Sequence, residues 1–201
     1  MLKEHNWHQL KDDTAQRLNQ LAPYFRDGTI IDAKDNVAAL EAVIRSCDRV
    51  NIEGNNQKQA DFLSECLCQL DPQKISGLHM VQSSVPLSSH LDLFEKGIAE
   101  KLDFAYVGPQ DGRLAKLIQD GKIKLGAIHT YLELFSRYFV DLTPRVSLIT
   151  AFEADKDGNL YTGFNTEDTP VITEATHFRQ GIVIAQVNKI VDKVPRVDIP
   201  G

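Results

Sequence analysis

Short apolar runs alternate along the chain with longer amphipathic stretches, and this alternation predicts a strand–loop–helix unit that recurs. The first copy begins with the β-branched run 49–52 and continues through a polar loop that starts at Gly54. The helix that follows has one apolar face, formed by Ala60, Leu63, Leu67 and Leu70. The stop signal Asp71-Pro72 ends this helix, so the unit is complete within about two dozen residues.

Three further copies of this unit follow the first. Strands are predicted at 78–82, 103–107 and 124–128, and each precedes an amphipathic helix. The apolar positions that define these helices are Leu91, Phe94 and Ile98, then Leu114, Leu117 and Ile118, then Leu132, Phe135 and Phe139. Four consecutive units predict an α/β fold, with a mainly parallel sheet and helices on both faces.

The two ends of the chain have different patterns. Residues 1–27 predict a helical arm, with Leu10, Leu18 and Leu21 among polar residues and Pro23 at its end, and residues 28–201 form the α/β domain. The final third predicts a β-hairpin on the sheet edge, from 145–152 and 159–164. A helix at 168–177 and a buried apolar strand at 181–187 follow the hairpin.

Composition narrows the function classes. The 22 basic residues are outnumbered by 28 acidic ones and form no cluster, so nucleic acid is not an expected partner. No apolar run approaches the roughly 20 residues that span a bilayer, which predicts a soluble protein without a membrane partner. Three cysteines, Cys47, Cys66 and Cys68, cannot all pair, and their pattern suits a reducing cytoplasm.

In parallel sheets, ligands bind beyond the carboxyl ends of the strands, so the loops after the strands carry the candidate chemistry. The loop after the first strand combines Gly54, Asn55, Asn56 and Gln57 with the exposed N–H groups of a helix start. Such a loop suits an anion or a developing oxyanion. The alternative is that one of the asparagines only caps the helix.

Two later loops are weaker candidates. Gly108, Pro109 and Gln110 permit close backbone approach after the third strand, although a Gly-Pro turn needs no function. His129 follows the fourth strand, and Glu133 lies one helical turn after it. This spacing allows an acid–base pair or two ligands of a metal site. The alternative is that His129 is structural and Thr130 caps the helix.

The segment before the last predicted helix is also rich in polar groups. Asn165 and Glu167 lie in it, either as binding residues or as part of a helix cap favoured by the helix dipole. A calcium loop beginning at Glu153 is excluded because its twelfth position is Phe164, where a bidentate glutamate is needed. No metal site is predicted.

Several strings resemble the alpha subunit of malonate decarboxylase nearly from end to end. They are EGNNQKQADFL at 53–63, LHMVQS at 78–83, GAIHTY at 126–131, GNLYTG at 158–163 and NTEDTP at 165–170. That subunit is similar to the citrate lyase alpha subunit and to family I CoA transferases. The resemblance implies a fold of the NagB/RpiA/CoA-transferase type.

The resemblance also implies an activity, in which acetyl-S-carrier protein and malonate give malonyl-S-carrier protein and acetate. Such enzymes use a glutamate nucleophile and oxyanion-hole donors, which the resemblance assigns to Gly54, Asn55 and Gly108. It implies no tightly bound cofactor. The thioester is carried on a phosphoribosyl-dephospho-CoA prosthetic group of a partner acyl carrier protein, and the other malonate decarboxylase subunits are further partners.

The resembled subunit has two similar domains with the nucleophilic glutamate in the second, and this chain matches the first. We therefore expect the catalytic residue to be absent and the isolated chain to be inactive. Glu53 and Glu167 are expected to be binding or structural residues. The alternatives are a catalytically inactive truncated domain that docks partner subunits or self-associates as a homo-oligomer, and a citrate lyase or CoA-transferase half.

Overall fold

The computed structural model describes residues 7–54 and 58–195. The helices of this part of the chain are α1 (Trp7–Leu21), α2 (Asn36–Val43), α3 (Asp61–Leu67), α4 (Ser89–Glu95), α5 (Asp111–Gln119), α6 (Tyr131–Val140) and α7 (Thr169–Phe178). Its strands are β1 (Arg49–Ile52), β2 (Leu78–Ser84), β3 (Ala99–Tyr106), β4 (Lys124–Ile128), β5 (Val146–Asp155), β6 (Leu160–Tyr161) and β7 (Ile182–Val191). None of these helices is long and apolar enough to cross a membrane.

The strands form one sheet in the order β4-β3-β2-β1-β5, with β7 on the far side of β5. Every pairing is parallel except that of the short β6 with β5. Apolar side chains from α2 to α5 pack against one face of the sheet, and those of α6 and α7 pack against the other. The predicted α/β class, the parallel sheet and the helices on both faces are therefore confirmed.

The predicted hairpin exists, but its position on the sheet edge is wrong. β7 pairs with β5 along the whole strand, so β5 is an interior strand and β7 is the edge. β1 pairs only with residues 146–148 of β5, and this leaves the carboxyl half of β5 for β6 at 153–154. The edge position also corrects the prediction of a buried strand at 181–187, because within it only Ile182 is fully buried.

The face of α6 also differs from the prediction. Leu134 and Tyr138 are its buried residues, whereas Leu132 is 80% exposed. Phe135 and Phe139 are only partly buried, at the margin of the core. A helix rich in apolar residues on two faces allows more than one register, and packing against the sheet selects one of them.

Helix α1 lies within the predicted arm and is fixed by charged contacts. The buried Arg17 donates to the backbone oxygen of Val43 at 2.9 Å and forms ion pairs with Asp13 and Asp48. Arg145, next to the start of β5, also binds Asp13, at 2.5 Å. These contacts attach the arm to the amino ends of β1 and β5. The candidate loops lie at the other ends of the strands, the carboxyl ends.

Candidate functional site

The sheet has a topological switch point between β1 and β5. The chain leaves β1 through α3 toward β2 on one side, and it leaves β5 through α7 toward β7 on the other. In open α/β sheets, ligands bind beyond the carboxyl ends of the two strands whose connections diverge in this way. Glu53 is the first residue after β1 and therefore lies at this position.

Glu53 is fully buried and joins three segments through its carboxylate. Its Oε2 accepts a hydrogen bond from the backbone N–H of Thr150 in β5, at 2.8 Å. Its Oε1 accepts from Lys58 Nζ at 2.9 Å and from the hydroxyl of Thr169 at the start of α7. A buried carboxylate is costly unless it is paired and hydrogen-bonded, and here both oxygens are satisfied. This arrangement suits a structural or positioning role, in line with the expectation for Glu53.

The loop that carried the first candidate residues is fixed at its base. Gly54 forms an antiparallel bridge with Gln59, and the Gly54 oxygen accepts hydrogen bonds from the hydroxyls of Ser83 and Ser84. A Cβ at Gly54 would lie 2.7 Å from the Gln59 side-chain oxygen, so an alanine there would displace the Gln59 side chain. Asn55, Asn56 and Gln57 lie outside the described residues, and their oxyanion role stays a prediction.

Asp168 is a site residue that the sequence analysis did not select. It occupies the N-cap position of α7, yet its side chain makes no capping hydrogen bond. Only 3% of the residue is exposed, and neither carboxylate oxygen has a hydrogen bond of normal geometry. Burial and the nearby charge of Glu53 raise the pKa of Asp168 to about 6, against the opposing effects of Ser83 and Lys58. The site therefore contains a carboxyl group that titrates near neutral pH.

His90 lies on the other side of the same loop. Its Nε2 is 3.3 Å from the Ser64 hydroxyl, and its ring would be 3.6 Å from a Cβ at Gly54. Burial lowers the pKa of His90 to about 4, so the ring is neutral at physiological pH. His90 Nδ1 and both amide atoms of the buried Gln82 have no hydrogen-bond partner in the described part of the chain. No sequence signal distinguished these residues from ordinary core positions.

The other predicted loops also follow the carboxyl ends of strands, but they lie farther from the switch point. Gly108, Pro109 and Gln110 form a short 3-10 turn after β3, two strands from β1, with a left-handed φ of 61° at Gly108. No hydrogen bond among the described residues connects this turn with Glu53 or Asp168. Asn165 and the exposed Glu167, whose φ is 39°, come just before Asp168 in the chain.

His129 belongs to a separate buried cluster beneath α6, three strands from β1. Its Nε2 is 2.9 Å from Asp103 Oδ1, and its Nδ1 is 3.2 Å from Glu133. His79 Nε2 lies 2.7 Å from the second oxygen of Asp103. Although burial opposes the change, the two histidine hydrogen bonds lower the pKa of Asp103 to about 2.

This geometry brings the predicted His129–Glu133 pair together and adds Asp103, which the sequence analysis missed. Thr130 does cap α6, because its hydroxyl accepts a hydrogen bond from the Glu133 N–H at 3.2 Å. Among residues 7–54 and 58–195, no three histidine, cysteine or acidic side chains are grouped to hold a metal ion. Asp155 bonds the backbone N–H groups of Asp157 and Asn159, and these bonds account for the carboxylate-rich turn before β6.

Comparisons with known proteins give consistent results. A family model described as "Malonate decarboxylase, alpha subunit, transporter" matches residues 6–201. An acetyl-S-ACP:malonate ACP transferase from Malonomonas rubra is 67% identical over the whole chain, which spans 36% of that relative's length.

Solved structures agree with this match. The structure of a Pseudomonas malonate decarboxylase hetero-tetramer in complex with malonate is similar, with a TM-score of 0.92 and 52% identity over 96% of this chain and 36% of that one. Glutaconate coenzyme A-transferase from Acidaminococcus fermentans is 13% identical, with a TM-score of 0.62 over 78% of this chain and 66% of that one. This second likeness shows the fold alone, and it confirms the expected CoA-transferase-like architecture.

Proposed function

Because the chain belongs to the malonate decarboxylase alpha-subunit family, we propose that it supplies part of the active site of an acyl carrier protein transferase. The reaction exchanges carboxylates at a thioester: acetyl-S-carrier protein and malonate give malonyl-S-carrier protein and acetate. The observation that carries this proposal is the 67% identity to such a transferase over every residue of the chain. The chain spans 36% of that relative's length, so the whole reaction is proposed for the full-length subunit, to which this chain contributes one part.

The chain's own contribution is to hold the acyl group and its developing charge. A tetrahedral intermediate at the thioester carbonyl has a negatively charged oxygen, which backbone N–H donors stabilise by about 3 to 4 kcal/mol each. The loop that begins at Gly54 supplies such donors in this proposal. Glu53 and Lys58 act as positioning residues, since their buried ion pair fastens both ends of that loop.

The nucleophile of the exchange comes from outside this chain. A carboxylate that attacks an acyl group needs a free oxygen directed at the substrate. Both oxygens of Glu53 are bonded inside the protein, so this residue is poorly suited to the task. We therefore assign the nucleophilic glutamate to the remaining part of the full-length subunit.

The proposed partners follow from the same reaction. The acyl carrier protein delivers its thioester on a phosphoribosyl-dephospho-CoA arm, which is substrate rather than a resident cofactor. The other malonate decarboxylase subunits and the rest of the alpha subunit complete the assembly, and the cytoplasm is the proposed compartment. Three free cysteines are compatible with that compartment.

The test is acetyl-to-malonyl exchange, measured on the carrier protein or on a CoA surrogate. The chain alone, the remaining two thirds of a full-length relative alone, and their mixture are compared. We expect exchange only in the mixture. Exchange by the chain alone would disprove the assignment of the nucleophile, and a mixture that prefers citrate to malonate would change the substrate class.

A matched pair of glycine substitutions tests the role of the loop. Gly54→Ala places a methyl group against the Gln59 side chain, and we expect it to lower exchange by about a hundredfold, because small displacements of catalytic donors have effects of this size. Gly112→Ala in α5 is the control, because a Cβ there has no heavy atom within 4 Å. Equal activity of the two variants would contradict the assigned role of the loop.

A docking role is the second candidate, and exposed aromatic residues favour it. Phe152 in β5 is about half exposed, and Phe164, after β6, is fully exposed. Exposed apolar residues of this kind suit a surface that another domain or subunit covers. If the mixture shows no exchange but the chain binds the remainder of the subunit or self-associates in sedimentation experiments, the docking role is the better account.

A further inference from the structure

The proposed function does not explain why Asp168 is buried although neither of its carboxylate oxygens makes a hydrogen bond of normal geometry in the described part of the chain. The Ser83 hydroxyl is a neighbour whose hydrogen bonding lowers the pKa of Asp168, but burial outweighs this effect. An N-cap aspartate normally accepts a hydrogen bond from the first turn of its helix, and the Asp168 side chain does not. A buried carboxylate without hydrogen bonds is unfavourable, whereas a buried carboxylic acid carries a proton that it can donate. The position therefore favours protonation of Asp168 once a hydrogen-bond acceptor is bound beside it.

The surroundings of Asp168 define what that acceptor is. Glu53 and Lys58 come from the segment after β1, Ser83 comes from the end of β2, and Tyr131 and Tyr138 come from α6. Lys58 is already paired with Glu53, so its charge is largely compensated before any ligand enters. Glu53 adds negative charge that disfavours a second carboxylate in ionised form.

We propose that Asp168 is a recognition residue that is protonated in the bound complex, where it donates its O–H to a carboxylate oxygen of the small dicarboxylic acid that the site accepts. This inference rests on the proposed function, since it takes malonate as the ligand. One proton is bound as the ligand enters, and it is shared between the Asp168 carboxyl and the ligand carboxylate. No covalent bond forms or breaks. Hydrogen bonds from an acid to a carboxylate are short and strong, and two carboxyl groups that share one proton are known from aspartic proteases.

Two properties of the site support a carboxylate rather than a cation as the ligand. An ionised Asp168 beside Glu53 would attract an ammonium group, but ionisation is what the burial of Asp168 opposes. A metal ion would need several free oxygen or nitrogen ligands, and the described residues contain no such group. A ligand carboxylate that accepts a hydrogen bond from protonated Asp168 is consistent with both properties.

Calorimetric titration of malonate tests the inference directly. It is carried out with the chain alone and with the chain mixed with the rest of a full-length relative, in two buffers of different ionisation enthalpy. At pH 7.5 we expect uptake of about one proton per malonate, because Asp168 is ionised there before binding and protonated after it. The affinity should fall about tenfold for each pH unit above about 6.

Variants assign the proton to Asp168 rather than to malonate itself. Asp168→Asn keeps a neutral donor, so it should bind malonate with little proton uptake and a flat pH profile. Asp168→Ala lacks the donor, and we expect at least tenfold weaker binding. Asp192→Asn is the matched control, because Asp192 is an exposed carboxyl group on the loop after β7.

The outcomes separate this inference from the proposed function. Proton uptake that persists in Asp168→Asn, proton release on binding, or the absence of malonate binding by the folded mixture would overturn the inference. A mixture that exchanges acetyl for malonyl but binds malonate without proton uptake would support the proposed function and contradict this inference. Malonate binding with Asp168-dependent uptake but without exchange would keep this inference and remove the proposed activity.

Discussion

Asp103 and Asp168 are both nearly completely buried aspartates, but their pKa values are shifted in opposite directions. Asp103 lies between His79 and His129, and these contacts lower its pKa to about 2. Asp168 has no hydrogen bond of normal geometry, and burial raises its pKa to about 6. Burial alone therefore does not determine the charge of a carboxyl group, because its neighbours decide whether the charged or the neutral form is favoured.

The two aspartates also differ in whether their polar groups are satisfied within the protein. The Asp103 cluster satisfies its polar groups internally and attaches β2, β3 and α6 to one another, which is the property of a structural network. Asp168 leaves both carboxylate oxygens without a hydrogen bond of normal geometry, near the Glu53 carboxylate that follows β1. Unsatisfied buried polar groups concentrate where a ligand completes them, so the second region is the stronger candidate for function.

Replacement of Asp103 gives the largest expected effect on stability. Asp103→Asn removes a carboxylate that two histidines contact, and we expect it to lower the free energy of unfolding by about 3 kcal/mol. The low pKa of Asp103 contributes stability that is present above pH 4 and lost as the pH falls through about 2. Urea unfolding at pH 7 measures the effect. A loss below about 1 kcal/mol would show that the network is not structural.

Gly126→Ala tests the same region through packing. A Cβ at this position in β4 would overlap the Asp103 carboxylate, which cannot move because both of its oxygens are held by histidines. We expect a cost of about 2 kcal/mol, as in other overpacked cores. In an Asp103→Ala background the same substitution should cost much less. A double-mutant cycle without coupling would contradict this explanation.

Asp168→Asn should change stability in the opposite direction. It removes a buried carboxyl group that must be protonated or left unpaired, so at pH 7.5 we expect the variant to be more stable than the natural chain by roughly 2 kcal/mol. Thermal or urea unfolding measures the difference, with Asp192→Asn as the control. A destabilised variant would show that Asp168 has a structural partner.

The pH dependence of that difference provides a further check. The pKa of Asp168 is raised above its ordinary value of 3.8, so the folded chain binds this proton more tightly than the unfolded chain. The stability from this proton is fully present below about pH 4 and is lost as the pH rises through about 6. The advantage of Asp168→Asn should therefore be small at pH 4 and reach its full size above pH 7. A constant difference across this range would contradict the raised pKa.

Glu133→Gln has the smallest expected effect. Glu133 contacts His129 at the outer end of the Asp103 cluster, but about half of its side chain is exposed to solvent. Exposed pairs of this kind contribute about 0.5 kcal/mol. Unfolding experiments that show a loss comparable to that of Asp103→Asn would mean that the outer end of the cluster is as important as its centre.

The sequence alone determined the repeated units and the segment that carries the site. The buried residues Leu63 and Leu67 of α3, with Ala60 and Leu70 just outside its two ends, follow directly from helical periodicity. Four βα units predict a parallel sheet without further information. The strings at 53–63 and 165–170 identified the family. These features are local, or they repeat along the chain, so a single sequence is sufficient to recognise them.

Only the tertiary structure decided which polar residues meet. Thr169 follows Glu53 by more than 100 residues, and no periodicity relates the two positions. An N-cap aspartate and an ordinary helix start look alike in sequence, so the isolation of Asp168 became visible only when the carboxyl ends of β1 and β2 were placed beside it. The interior position of β5 depended in the same way on pairing with β7. Hydrogen-bond partners and burial are properties of three-dimensional neighbours, and these properties set the charge and the chemistry of each buried group.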